Sequence, residues 1–93
     1  MNLRKIKLAL TVGLLNRQDN SRNLLHSVKD LMNNLREEVG HFIDLSLVKN
    51  DNLKEGQYKQ TYAIKYEKCT LAIDLIYNQV SRDQYISTFE LQG

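Results

Sequence analysis

A chain of 93 residues with 42% apolar and 26% charged side chains has the proportions of one globular domain with a single core, which excludes a disordered or membrane-spanning class. Thirteen Lys and Arg against eleven Asp and Glu leave a net charge of +2, so no global field draws the chain to nucleic acid or a membrane, and an electrostatic partner needs a local patch. The single cysteine excludes an internal disulfide and fits a reducing compartment, with the cytoplasm as the default.

The chain opens on alternation. Ile6, Leu8, Leu10 and Val12 alternate with Lys5, Lys7, Ala9 and Thr11, the two-residue period of a strand with one wet face. Arg4, Lys5 and Lys7 ahead of the apolar run 8–15 also have the layout of a secretion signal. Thr11 and Gly13 interrupt that run, and Asn16, Arg17 and Gln18 stand where a cleavage site needs small residues, so a packed first strand is the better reading. Residues 16–20 form a turn cluster in which Asp19 or, just after it, Ser21 is placed to cap a helix. Leu24, Leu25, Val28, Leu31, Met32, Leu35 and Val39 then recur at three and four, predicting a helix from about 20 to 39 that closes at Gly40 in a left-handed cap.

Residues 41–49 return to period two, with Ile43, Leu45 and Leu47 on one face and Asp44 and Ser46 on the other. Phe42 and Val48 leave that second face less polar than a free surface should be. Residues 50–57 are polar, contain Gly56 and read as a loop. Tyr58, Tyr62, Ile64 and Tyr66 alternate with Lys59, Thr61, Ala63 and Lys65 in a third strand.

Residues 69–80 fit two templates. As a helix capped by Thr70, Leu71, Ala72, Leu75, Ile76 and Val80 form a stripe; as a strand, Leu71, Ile73, Leu75 and Tyr77 alternate with Thr70, Ala72, Asp74 and Ile76. A hairpin leading into such a strand has to turn at Glu67 and Lys68, where no Gly or Asn supplies a positive φ, and this favours the helix. Tyr85, Ser87, Phe89 and Leu91 follow as a last strand. The resulting order is βαββαβ, an α+β ferredoxin-like sandwich. The alternative keeps residues 69–78 as a strand and turns residues 81–91 into a terminal helix capped by Ser81, a thioredoxin-like βαβββα order. In that order residues 20–53, with a helix, a strand carrying Ile43-Asp44 and then Lys49-Asn50, distantly resemble the KaiB clock-protein family, without the proline-containing segment which those proteins carry further on. A chain of that order with one thiol reads as a redox-inert thioredoxin-like adaptor.

Residues able to carry chemistry are few. In the helical reading Cys69 lies at a helix N-terminus beside Lys68, which favours a thiolate, but neither His26 nor His41 is placed by sequence as its base. An inert, semi-buried cysteine is the better reading, and a small enzyme using Cys69 the third choice. His26, His41 and Cys69 lack metal-ligand spacing, and both histidines read as surface residues. Gly13 is followed by Leu14 and Leu15, not by a phosphate-binding loop. No cofactor is expected.

In a ferredoxin-like sheet the first and third strands are neighbours, so Lys5, Lys7, Lys59 and Lys65 are expected to share one open face. Phe42 and Val48 flank them. RNA-recognition domains stack bases on that face, but Thr61 and Ala63 occupy the stacking positions here. The functional expectation is therefore a small, non-enzymatic binding or regulatory module. It self-associates as a homodimer or docks a protein partner through Lys5, Lys7, Phe42, Val48, Lys59 and Lys65. Nucleic-acid binding by phosphate contact is the second choice, and no membrane is involved.

Overall fold

The computed structural model describes residues 2–15 and 24–93. Helix α1 (Leu3–Leu10) runs on as a π-helical turn (Thr11–Leu15), and α2 (Leu24–Asn33) and the short α3 (Arg36–Val39) follow. Four strands complete the chain: β1 (Phe42–Lys54), β2 (Gln57–Tyr66), β3 (Thr70–Asn78) and β4 (Gln84–Gln92). All neighbours are antiparallel, in the order β1-β2-β3-β4. The fold is therefore β-rich, a four-strand meander behind N-terminal helices, and neither the ferredoxin-like nor the thioredoxin-like order describes it. The likeness of residues 20–53 to the KaiB family loses its basis with that order.

Two segments account for the difference. The opening alternation is helical because Leu3, Ile6 and Leu10 also satisfy a spacing of three and four. Asn2 caps the helix, its Oδ1 accepting from the Lys5 N–H at 3.1 Å. Ile6 and Leu10 are fully buried, whereas Leu8 and Val12 are left 65% and 63% exposed. Residues 70–78 are a strand because their turn is held from outside itself. The Glu67 N–H donates to the His41 carbonyl at 3.0 Å and the Lys68 N–H to the Val39 carbonyl at 2.9 Å, while the turn's own Tyr66 N–H donates to the Cys69 carbonyl at 2.8 Å. Backbone groups at the end of α3 thus supply what a turn glycine would have supplied. The next turn is closed by Asn78, whose Oδ1 accepts from the Val80 and Ser81 N–H groups, with Arg82 at φ 63°.

Of the expected helix over 20–39, the described part from Leu24 is present as α2 and α3, separated at Asn34 and Leu35, and it ends at Gly40 with φ 84°. The caps expected at Asp19 and Ser21 lie outside the described residues. The expected loop over 50–57 is mostly strand, since β1 runs to Lys54 and a two-residue turn at Glu55 and Gly56 starts β2.

One face of the sheet carries the core. Ile64 on β2, Leu71, Ile73 and Leu75 on β3, and Ile86 and Leu91 on β4 pack with Ile6, Leu10, Leu24, Val28, Met32 and Val39 from the helices. The π-helical turn and α2 both contact β4, so the helical layer is seated toward the β4 side. β1 packs chiefly on β2 and forms one edge.

Gly40 fixes the corner between the layers. Its φ of 84° and ψ of −165° lie in a region open essentially to glycine, and an added Cβ would stand 2.7 Å from the Glu67 Cβ. Gly40→Ala is expected to lower stability by about 1–3 kcal/mol from backbone strain alone, read as a lower urea midpoint at unchanged slope.

Candidate interaction surface

β1 is the unusual element. Its 13 residues make it the longest strand of the sheet. Its pairing with β2 skips three positions, Ile43, Val48 and Leu53, spaced five residues apart. These three apolar residues are 52%, 62% and 50% exposed. With Phe42 and Leu47 they make up five of the nine exposed large apolar side chains among the described residues. Among the described residues no strand lies beside the outer edge of β1, so an apolar row runs along an edge that the sheet itself leaves unpaired.

The bulges also decide which side chains share a face. Opposite β2, Phe42, Leu45, Leu47, Asn50 and Asn52 take the helix side, whereas Asp44, Ser46, Lys49 and Asp51 take the open side. The skip at Val48 moves Lys49 onto the face of Asp44, which a strict period of two puts on opposite sides. Lys49 lies 3.5 Å from Asp51 along the strand.

The expected lysine face is not assembled. Lys5 and Lys7 are on α1, where Lys5 lies 3.6 Å from Glu38 and Lys7 is exposed. Lys59 and Lys65 do share the open face of β2, but each has a carboxylate residue opposite it on β1, Asp51 for Lys59 and Asp44 for Lys65. Thr61 between them donates to Asp74 on β3 at 2.7 Å. Phe42 and Val48 both lie exposed on β1. The tyrosine side of β2 faces the helices, with Tyr66 buried and Tyr58 and Tyr62 half-buried.

Sequence reasoning missed a second feature, a cleft of about 430 Å³ between α2 and the start of β1. Lys29, seven residues before Arg36, sits with its Nζ 4.5 Å over the Phe42 ring, and that ring meets Tyr66 edge-on at 5.9 Å. Arg36 Nη2 lies 2.7 Å from His41 Nδ1. A guanidinium can only donate, so the nearer ring nitrogen, Nδ1, is the acceptor, and Nε2 lies 3.8 Å from Glu67 Oε1. Glu67 Oε1 also accepts the His41 backbone N–H at 2.6 Å. These contacts brace the corner at Gly40, and they bring no nucleophile to His41. His26 and His41 are both exposed, and no group of three metal-ligating side chains occurs among the described residues.

Cys69 lies 5% exposed just before β3, with no helix N-terminus beside it, and burial pushes its thiol pKa up. Glu38 is held below the usual carboxylate range, first by the Asn2 backbone N–H at 3.2 Å and then by Lys5, and so fastens α1 to α3. No helix among the described residues is long and apolar enough to cross a membrane. No protein family, curated protein or solved structure matches the chain.

Cys69 in the folded protein is expected to react slowly with iodoacetamide at pH 8 and quickly once urea unfolds the chain; mass spectrometry of timed samples reads the difference. Burial, aided by the nearby Cys69, pushes the Tyr66 phenol up to about 12. The unfolded chain therefore gives up this proton near pH 10 while the native state keeps it, and stability falls as pH rises from about 10 to 12. Urea midpoints across that interval should decline, and less steeply in Tyr66→Phe.

Proposed function

We propose that this chain is a non-enzymatic protein-binding module that works by strand addition at the β1 edge, and that a second copy of itself is its first partner. The observation that carries this reading is the coincidence on one strand of an unpaired backbone edge with five exposed apolar side chains. Natural sheets usually blunt such an edge, and an apolar row on it gains from being covered. Strand addition meets both needs at once, because main-chain hydrogen bonds give affinity while alternate side chains choose the partner. Phe42 and Val48 belong to this surface, whereas Lys5, Lys7, Lys59 and Lys65 lie away from its apolar row.

The phosphate-binding alternative depended on four lysines standing together. With Lys5 and Lys7 on α1, and Lys59 and Lys65 opposite Asp51 and Asp44, it has no cluster to stand on. The adaptor alternative falls with the thioredoxin-like order. A cytoplasmic location belongs to the same proposal, supported by one buried thiol in a chain without a second cysteine to pair with.

Sedimentation velocity over a concentration series is the test. The wild-type chain is expected to move from monomer to dimer as concentration rises. Leu47→Lys combined with Val48→Lys changes only exposed positions, so it should keep the wild-type circular dichroism spectrum and stay monomeric. Leu8→Lys, on the exposed side of α1, should associate as the wild type does. A wild type that remains monomeric throughout, or a dimer lost in Leu8→Lys and kept in the β1 variant, overturns the reading.

A further inference from the structure

We infer that two copies join β1 to β1 antiparallel about a two-fold axis passing at Ser46, with Asp44 of each copy opposite Lys49 of the other and Leu45 opposite Leu47. The inference rests on the reading of β1 as an association edge, and it adds the register. A two-fold contact is self-complementary, so whatever residue i meets in the partner must meet residue i in return. Most registers of an arbitrary strand fail that condition somewhere. β1 has one that satisfies it on both faces.

Registers are compared with positions counted by their β2 partners, so that the skip at Val48 is respected; an axis at Asn50 also sets Lys49 against Asp51, but it puts Leu47 opposite Asn52. With the axis at Ser46, the open face sets Asp44 against Lys49 twice by symmetry, with the Ser46 pair between. The helix-side face sets Leu45 against Leu47 twice, and Phe42 against Asn50. Moving the axis to Leu47 puts Asp44 opposite Asp51, two carboxylates face to face, and leaves Lys49 opposite Ser46. Moving it to Leu45 sets Asp44 against Ser46 and leaves Lys49 past Phe42, the first residue of the strand. Opposite charges placed directly across an antiparallel pair stabilise it, and like charges oppose it, so the Ser46 register is favoured at each step.

The bulge at Val48 is what makes this possible. Without it Asp44 and Lys49, five residues apart, project to opposite faces and cannot meet across a symmetric pair. With it they share the open face and sit the same two steps either side of Ser46. The helical layer is seated toward β4, and α2 reaches β1 at Phe42, where Lys29 lies over the ring, so the pairing is centred further along the strand at Ser46.

Ser46 and Lys49 are both exposed, so cysteines can be placed there without disturbing the core. Under mild oxidation Ser46→Cys is expected to give a covalent dimer as the major product, mapped by mass spectrometry to a pair of residue-46 peptides. Lys49→Cys should remain largely uncrosslinked, because its opposite residue is Asp44. Asp44→Lys should weaken association about tenfold in sedimentation, and Asp44→Lys with Lys49→Asp should restore it. A dimer of the wild type in which Lys49→Cys crosslinks in preference to Ser46→Cys, or in which the charge exchange fails to restore affinity, overturns the register and leaves the edge reading intact. A wild-type chain that never dimerises overturns both.

Discussion

The structure depends on the seating of one apolar stripe, from Ile6 and Leu10 through Val28, Met32 and Val39, onto the side chains of Ile64, Leu71 and Ile73. Every one of these residues is fully buried, and removal of apolar area from water is the dominant favourable term in a domain of this size. The strands beneath the helices are thereby fixed in register, since a slip by one residue turns each buried side chain to the other face. β1 is attached to this core mainly through its hydrogen-bonded ladder with β2 and through the half-buried Leu45. It is the longest strand of the sheet, yet it is bulged at three positions and exposed like a surface loop.

How much of this was legible in the sequence differs from segment to segment. The stripe of α2 and α3 was legible because Leu24, Leu25, Val28, Leu31, Met32, Leu35 and Val39 recur at three and four on both odd and even positions, which a strand with one buried face does not do. The sidedness of β2 was legible because Ile64 and Tyr66 alternate with Lys65, an ammonium that cannot be buried without a partner. The opening segment was ambiguous for a physical reason: Ile6, Leu8, Leu10 and Val12 satisfy a strand, while Leu3, Ile6 and Leu10 satisfy a helix. Only the packing of α1 against the core leaves Leu8 and Val12 in water. The turn at Glu67 and Lys68 was hidden because its stabilising acceptors are the carbonyls of Val39 and His41, nearly thirty residues away and outside any local rule.

The candidate surface was half legible. Phe42 and Val48 stood out as apolar residues on a face that should have been polar; both are exposed, but Phe42 lies on the helix side of β1 and Val48 at a skipped position, not together on the open face. The physical cause was not legible. An extra residue at Val48 inverts the side-chain parity that follows it, and a single sequence carries no mark of a bulge beyond a broken alternation. The spacing of Ile43, Val48 and Leu53 is the one signal that could have located all three. The lysine surface failed at its first link, because it required Lys5 and Lys7 to lie in the same sheet as Lys59 and Lys65.

The three skipped positions of β1 also bear on how far association can proceed. A strand interrupted every five residues twists and bends more strongly than a regular one, which makes a poor template for stacking in flat, repeating layers. A symmetric junction uses up that edge in both copies at once. The margin then left at each end is β4, whose apolar Ile86 and Leu91 are committed to the interior and whose Ser87, Thr88 and Glu90 face water, with Tyr85 its one exposed large apolar side chain among the described residues. If β1 joins β1 as proposed, growth stops at a closed pair, and the greasy border that invites assembly is kept from propagating into fibres.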